Sequence, residues 1–276
     1  MTLLDVQHVE VCYNGNAVVQ DVSFQVEAGE ILGIVGESGS GKSTVIRAAM
    51  GLLGSGGAVT KGNIYYKGQN VIDAGPDEIR RMRGPAMGMI FQNTGASLCP
   101  IRSIGDQLYE SVRQHEKVSR GEVRERALAI FDRMRLNDGE RILSSYPFEL
   151  SGGMNQRVGI MMAMILKPAL LFADEPTSAL DVTVQAQVVK EMMKMRDLCG
   201  TGMVVVTHNI GMAEHMADRI AVMYQGRLIE YGETEEIIRH PKEAYTKRLI
   251  GSVLRLNRGE RDAENTGSKS TEKDIL

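Results

Sequence analysis

The most constraining stretch of the chain runs from Ile31 to Met50. Ile31-Leu32-Gly33-Ile34-Val35 is a short apolar run of the kind buried on both faces of a sheet. Gly36-Glu37-Ser38-Gly39-Ser40-Gly41-Lys42-Ser43 follows it directly, and the pattern beyond predicts a helix from about Ser43 to Met50. A GxxxxGK[ST] pattern has chemical meaning when it stands between a strand and a helix, as it does here. The glycines let backbone N–H groups turn inward around a phosphate, and the helix N-terminus adds its dipole. Lys42 supplies a cation for the β/γ-phosphates, the Ser43 hydroxyl can coordinate Mg²⁺, and Thr44 closes the cradle. The segment reads as a nucleoside triphosphate site within an α/β fold.

The rest of the chain organises around that unit. Alternating apolar residues predict strands over Leu3–Tyr13 and Val18–Val26, with Asn14-Gly15-Asn16 as the turn between them. Another hairpin-like pair closes the glycine-rich region from Gly51 to Gly68. From Pro76 to about Glu149 the character is helical, with helices expected over Asp77–Arg83, Ser103–His115 and Arg120–Arg135. Strand–helix alternation resumes after Ser151: strands at Leu170–Asp174, Met203–Thr207, Ile220–Tyr224 and Arg227–Tyr231, and helices at Val184–Leu198 and Ile210–Ala217. Such alternation implies a parallel sheet covered on both faces. Residues 251–276 are polar and are expected to form a disordered tail after a domain spanning 1–250.

Two further motifs carry chemistry. Leu150-Ser151-Gly152-Gly153-Met154-Asn155-Gln156-Arg157 places Ser151 and the Gly152 and Gly153 amides at a predicted helix N-terminus, a second anion cradle. Taken alone it also reads as a serine N-cap before a flexible turn. Leu170-Leu171-Phe172-Ala173-Asp174-Glu175 is an apolar strand ending in two adjacent carboxylates. Asp174 at the strand end suits Mg²⁺ held through water, and Glu175 suits a general base that polarises the attacking water.

With these three motifs in order, the chain resembles the ABC ATPase family from about Leu3 to Ile250. The resemblance implies a P-loop NTPase cassette: a RecA-like core, an N-terminal antiparallel β-subdomain and an α-helical subdomain inserted at about 93–165. It implies ATP and Mg²⁺ as cofactors and ATP hydrolysis coupled to solute movement. Tyr13 matches the aromatic residue that stacks on adenine, although alone it reads as strand packing. Gln92 in Met89-Ile90-Phe91-Gln92 matches the glutamine that reaches Mg²⁺ and senses the permease. Ser178-Ala179-Leu180-Asp181 matches the loop that crosses the dimer interface, and His208 the histidine that contacts the γ-phosphate. Within the family the chain is similar to ATPase subunits of the peptide/nickel importer branch. Ser97-Leu98 with Pro100, Asp181-Val182-Thr183-Val184-Gln185-Ala186-Gln187, His240-Pro241-Lys242 and Tyr245-Thr246-Lys247-Arg248-Leu249 carry that likeness.

The implied partners are integral membrane permease subunits, a sister ABC ATPase in a homo- or heterodimer, and an extracytoplasmic solute-binding protein. The implied location is the cytoplasmic face of the membrane, reached through the permease. No apolar run approaches the roughly 20 residues of a membrane span, and no signal-peptide pattern opens the chain. Nucleic acid is not expected, given a net charge of −3 and 5% aromatic residues. The rival is a non-transport ABC ATPase acting on nucleic acid or ribosomes, which would favour paired cassettes or zinc modules. Asn93-Thr94-Gly95, Cys99 and Asn209 depart from the family pattern, which bears on permease contact and loop positioning. Cys12, Cys99 and Cys199 read as buried reduced thiols, and no cysteine follows Cys199 to build an iron–sulfur cluster. The methionines of 161–164 and 192–195 read as adaptable core packing rather than soft-metal ligands.

Overall fold

A computed structural model describes residues 1–178 and 180–252. Of the tail expected at 251–276, Gly251 and Ser252 are helical and so belong to the segment before it, while residues 253–276 and the conformation of Ala179 lie outside the described residues. Strands β1 (Thr2–Tyr13) and β2 (Asn16–Glu27) form a hairpin. Leu4, Val6, Val9 and Val11 all face the core although Val6 and Val9 are three residues apart. A register shift between them, with His8 at φ 51°, inserts the extra β1 residue that keeps the apolar face continuous, and a second shift between Val9 and Val11 contains Asp21 at φ 54° on β2. Strands β4 (Gly57–Tyr66) and β5 (Gln69–Asn70) complete a four-stranded antiparallel sheet in the order β2-β1-β4-β5.

The second sheet has six strands. β3 (Ile31–Val35), β6 (Met87–Ile90), β7 (Leu170–Asp174), β8 (Gly202–Thr207), β9 (Arg219–Tyr224) and β10 (Arg227–Glu233) lie in the order β10-β9-β3-β8-β7-β6. All pairings are parallel except the edge hairpin β9–β10. Successive residues of β3, β7 and β8 enter two different cores. Leu32, Ile34, Leu170, Phe172, Val204 and Val206 pack toward the antiparallel sheet and helix α1 (Lys42–Ala49). Ile31, Val35, Leu171, Ala173, Met203 and Val205 pack on the other side. Burial on both faces is why these strands read as unbroken apolar runs.

After α2 (Pro76–Met82), the chain between β6 and β7 is helical: α3 (Thr94–Ser97), α4 (Ile104–Arg113), α5 (Arg120–Arg133), α6 (Gly139–Ser144) and α7 (Gly152–Met164). Ser119 and Glu122 form a reciprocal capping box at the start of α5. α8 (Val182–Cys199), α9 (Ile210–Met216) and α10 (Thr234–Arg239) follow, and residues 244–252 are again helical. Met161, Met164, Met192 and Met195 are buried in the core, as their helical spacing implies. The cysteine expectation is corrected: Cys12 and Cys99 are half-buried and Cys199 is exposed, so none is a sealed core thiol. Cys199 ends α8, where the helix gives way to Gly200.

The join between α3 and α7 is tight. A Cβ placed on Gly159 would stand 2.0 Å from Thr94 Cγ2, and Thr94 is itself buried. Gly159→Ala is therefore expected to cost about 1–3 kcal/mol, as overpacked cores do. A denaturant titration checks this, and an unchanged midpoint would mean that α3 shifts freely on α7.

Candidate nucleotide site

Parallel strands bring their C-terminal ends to one edge of the sheet, the usual place for a ligand crevice in an open α/β sheet. β3 leads into the loop 36–41, β7 ends at Asp174 and Glu175, β8 leads to His208, and β6 leads to Gln92. Because β8 lies between β3 and β7, these segments are neighbours in space although far apart in sequence.

The loop is held open by backbone geometry. Gly36 has φ 153°, and a Cβ there would lie 2.2 Å from the Met223 carbonyl oxygen, so no side chain fits. The Lys42 ammonium donates to the carbonyls of Gly36 (2.8 Å) and Glu37 (2.7 Å). Burial pushes the Lys42 ammonium below its ordinary pKa, and the carboxylates of Glu175, Asp174 and Glu37 oppose that shift. The Glu37 N–H donates to the Tyr245 hydroxyl at 2.8 Å, and the Ser40 carbonyl accepts from the Gly226 N–H. Ser38 and Gly39 are exposed at the loop tip, while Ser40 and Gly41 are buried. Ser43 and Thr44 are half-buried in the first turn of α1.

Asp174 and Ser43 make the second part of the site. The Ser43 hydroxyl donates to Asp174 Oδ1 at 2.6 Å. Asp174 is 1% exposed, and its Oδ2 is buried with no hydrogen-bond partner among the described residues, with the Arg47 guanidinium 3.7 Å away. A buried carboxylate oxygen left without a hydrogen bond, next to a serine hydroxyl, is a hard-oxygen donor pair suited to Mg²⁺. Glu175 takes φ 50°, an uncommon conformation for a residue with a side chain. Its N–H donates to Val206 O, and its Oε2 lies 2.6 Å from His208 Nδ1. Gln92 is exposed beyond the end of β6.

Two further expected contributors come from outside the parallel sheet, Tyr13 at the end of β1 and Ser151 at the start of α7. Tyr13 is half-buried, and its hydroxyl donates to Leu53 O (2.9 Å), which ties β1 to the turn beyond α1. Ser151 is the exposed N-cap of α7, its hydroxyl accepting the Met154 N–H at 3.3 Å. The Cβ position of Gly152 meets no heavy atom within 4 Å, and that of Gly153 meets only Leu180. The helix N-terminus is open.

Several contacts were not legible in the sequence. Gln156 of α7 is buried and donates to Pro176 O, which connects the helix headed by Ser151 to the residue after Glu175. Arg47 and Tyr245 reach the site from one turn along α1 and from the far end of the chain. The departures are conservative: Asn93 and Asn209 cap α3 and α9 as Asp would. Cys99 is held through its backbone by Gln107. Leu98, after α3, is 8% exposed and packs in the core, whereas Ile101, three residues on, is 83% exposed.

Comparison with known proteins decides the family. The family model described as "ABC transporter" matches residues 19–178. The chain belongs to the ABC transporter family. It is 41% identical over 262 residues to a probable peptide ABC transporter ATP-binding protein of Sinorhizobium fredii, covering 93% of this chain and 78% of that one. It is 40% identical over 253 residues to a probable D,D-dipeptide transport ATP-binding protein of Escherichia coli, covering 90% and 77%. A solved dimer of an ATP-binding cassette in a post-hydrolysis state, bound to ADP and Pi, superposes with a TM-score of 0.75 at 27% identity, covering 84% of this chain and 99% of that one. The chain is an ABC ATPase that binds ATP, with the expected α/β cassette fold.

Proposed function

We propose that this ABC ATPase energises the uptake of peptides through a separate membrane permease, as the ATP-hydrolysing subunit of an importer. The observation that carries the reading is the meeting of Lys42, Ser43, Asp174 and Glu175 at one sheet edge, in a chain whose relatives are named for peptide and dipeptide transport. Those names favour peptides over nickel among the cargoes that the sequence leaves open.

Amides of the 36–41 loop other than that of Glu37, whose N–H is taken by the Tyr245 hydroxyl, hold the phosphates together with the Lys42 ammonium, and Tyr13 offers its ring to adenine. Mg²⁺ fits the oxygens of Ser43 and Asp174, with Gln92 as a further oxygen donor, and would neutralise charge building on the β- and γ-phosphate oxygens. Glu175 accepts a proton from the water that attacks the γ-phosphate, and His208 orients the Glu175 carboxylate across their 2.6 Å contact. The lytic bond forms from water oxygen to γ-phosphorus as the bond to the β,γ-bridging oxygen breaks. ADP and inorganic phosphate leave. The units of the cassette are a domain of 1–250 with the 93–165 helices as a subdomain, and the active assembly pairs two cassettes.

Among the described residues no helix is long and apolar enough to cross a membrane; in this reading the permease recruits the cassette to the cytoplasmic face. A solute-binding protein would deliver the peptide on the other side. The docking surface proposed here contains Ile101 and the stacked, exposed pair Tyr146–Phe148, whose ring centroids are 5.6 Å apart. Co-expression with a candidate permease tests the reading. Ile101→Glu is expected to reduce membrane copurification and peptide uptake by tenfold or more, on the order of a lost interface anchor, with ATP affinity unchanged. Normal uptake by that variant would move the docking surface elsewhere.

A further inference from the structure

The loop that carries Lys42 is gripped from outside by a residue 208 positions downstream. Gly36 C=O and Glu37 N–H belong to one peptide unit. Its carbonyl accepts from the Lys42 ammonium, and its N–H donates to the Tyr245 hydroxyl. Neither end of that peptide can rotate without breaking a hydrogen bond, and Gly36 offers no side chain to resist rotation on its own.

Tyr245 is itself firmly seated. It is 6% exposed, and its ring lies 4.3 Å from that of Tyr224 at the end of β9, centroid to centroid. Burial pushes the phenol above its ordinary pKa, so the hydroxyl stays neutral around pH 7. The helical segment that bears it starts on the buried Glu230 of β10, whose carboxylate accepts the N–H groups of Lys242 (2.7 Å) and Glu243 (3.2 Å). Thr246 beside it is fully buried, and Leu249 and Ile250 pack against the same core. A continuous path therefore runs from Glu230 through the segment start to Tyr245 and on to the phosphate loop.

We propose that Tyr245 is a positioning residue for the nucleotide site: by accepting the Glu37 N–H, its hydroxyl fixes the Gly36–Glu37 peptide on which Lys42 rests. The inference rests on the assignment of ATP to this loop. It makes the segment 242–252 a handle on nucleotide affinity, since lifting that segment releases the loop peptide.

The full chain is compared as wild type, Tyr245→Phe, Tyr224→Phe and Lys42→Ala. Tyr245→Phe keeps the ring stack and removes only the acceptor. It is expected to raise the Kd for a fluorescent ATP analogue, and the KM for ATP, by about three- to tenfold, the worth of one hydrogen bond. The kcat at saturating ATP should stay near wild type, because bound phosphate reorders the loop. The Glu37 amide proton should exchange faster and change its NMR shift, while the melting temperature holds. Tyr224→Phe removes a hydroxyl from the same stack without touching the loop and should bind ATP normally. Wild-type affinity in Tyr245→Phe alongside lost binding in Lys42→Ala would overturn the positioning role and leave the nucleotide site standing. Equal losses of affinity and melting temperature in both tyrosine variants would also overturn it, in favour of simple packing. Unchanged binding in Lys42→Ala would instead remove the nucleotide reading beneath the proposal.

Discussion

Glu175→Gln is expected to leave ATP binding intact and to lower hydrolysis by about 10²–10⁴-fold, the usual worth of a positioned general base. The amide keeps the shape and can still hydrogen-bond His208, but it cannot take a proton from water. The backbone is built to place this one side chain. β7 carries Asp174 to the strand end, Glu175 turns into φ 50°, and its N–H anchors on Val206 of the neighbouring strand. The unusual dihedral holds the Glu175 carboxylate toward His208 rather than letting it follow Asp174. Single-turnover hydrolysis with labelled ATP, beside equilibrium binding, separates the two effects. ATP-bound dimers should accumulate, since closure precedes cleavage. Near-wild-type turnover would place the base elsewhere, with His208 the next residue to test.

The parts of this site that were legible in the sequence are those encoded by neighbouring residues. The Gly36–Ser43 loop, the Asp174-Glu175 strand end and the Ser151 cap each combine a local dihedral requirement with a local charge, so residue type and spacing reveal them. The strands β3, β7 and β8 were legible because burial on both faces leaves an unbroken apolar run. β6 was not: Met87-Gly88-Met89-Ile90 is four residues inside a helical region, and it is a strand because β7 offers it an edge. Gly88 there leaves room for Pro168, a contact that no periodicity reports. α6, at six residues, is likewise too short for periodicity to mark. The side a residue faces also needs the fold. Leu98 and Ile101 are both apolar residues of one loop, yet only Leu98 is buried, against the core formed by the helices around it. Contacts such as Tyr245 to Glu37 and Gln156 to Pro176 depend on chain paths far apart in sequence, and local pattern carries no trace of them.

Ser151→Arg is expected to abolish ATP-driven closure of a cassette pair while leaving the nucleotide affinity of the isolated chain unchanged. The loop at Lys42 and the α7 N-terminus at Ser151 are proposed as two phosphate cradles on one chain, with one nucleotide shared between cradles from two chains. The proposed α7 cradle suits such sharing because Ser151 and Gly152 are exposed, and among the described residues no other part of the chain comes within 4 Å of a Cβ placed on Gly152. The thirteen-residue helix behind it supplies a dipole directed at an incoming γ-phosphate. An arginine at the cap would lose the oxygen that accepts the Met154 N–H and would fill the space in front of the helix amides. The damage should therefore appear on the partner's ATP. Mixing Ser151→Arg chains with partners whose own loop is intact or disabled, and following hydrolysis at each site separately, reads the effect directly. Loss confined to the partner's nucleotide supports sharing in trans. Loss confined to the variant's own nucleotide would mean that the two cradles serve one chain. The buried Gln156–Pro176 bond offers a reason why the partner's phosphate should matter to chemistry here: a phosphate seated on α7 pulls on the helix that holds the residue after Glu175.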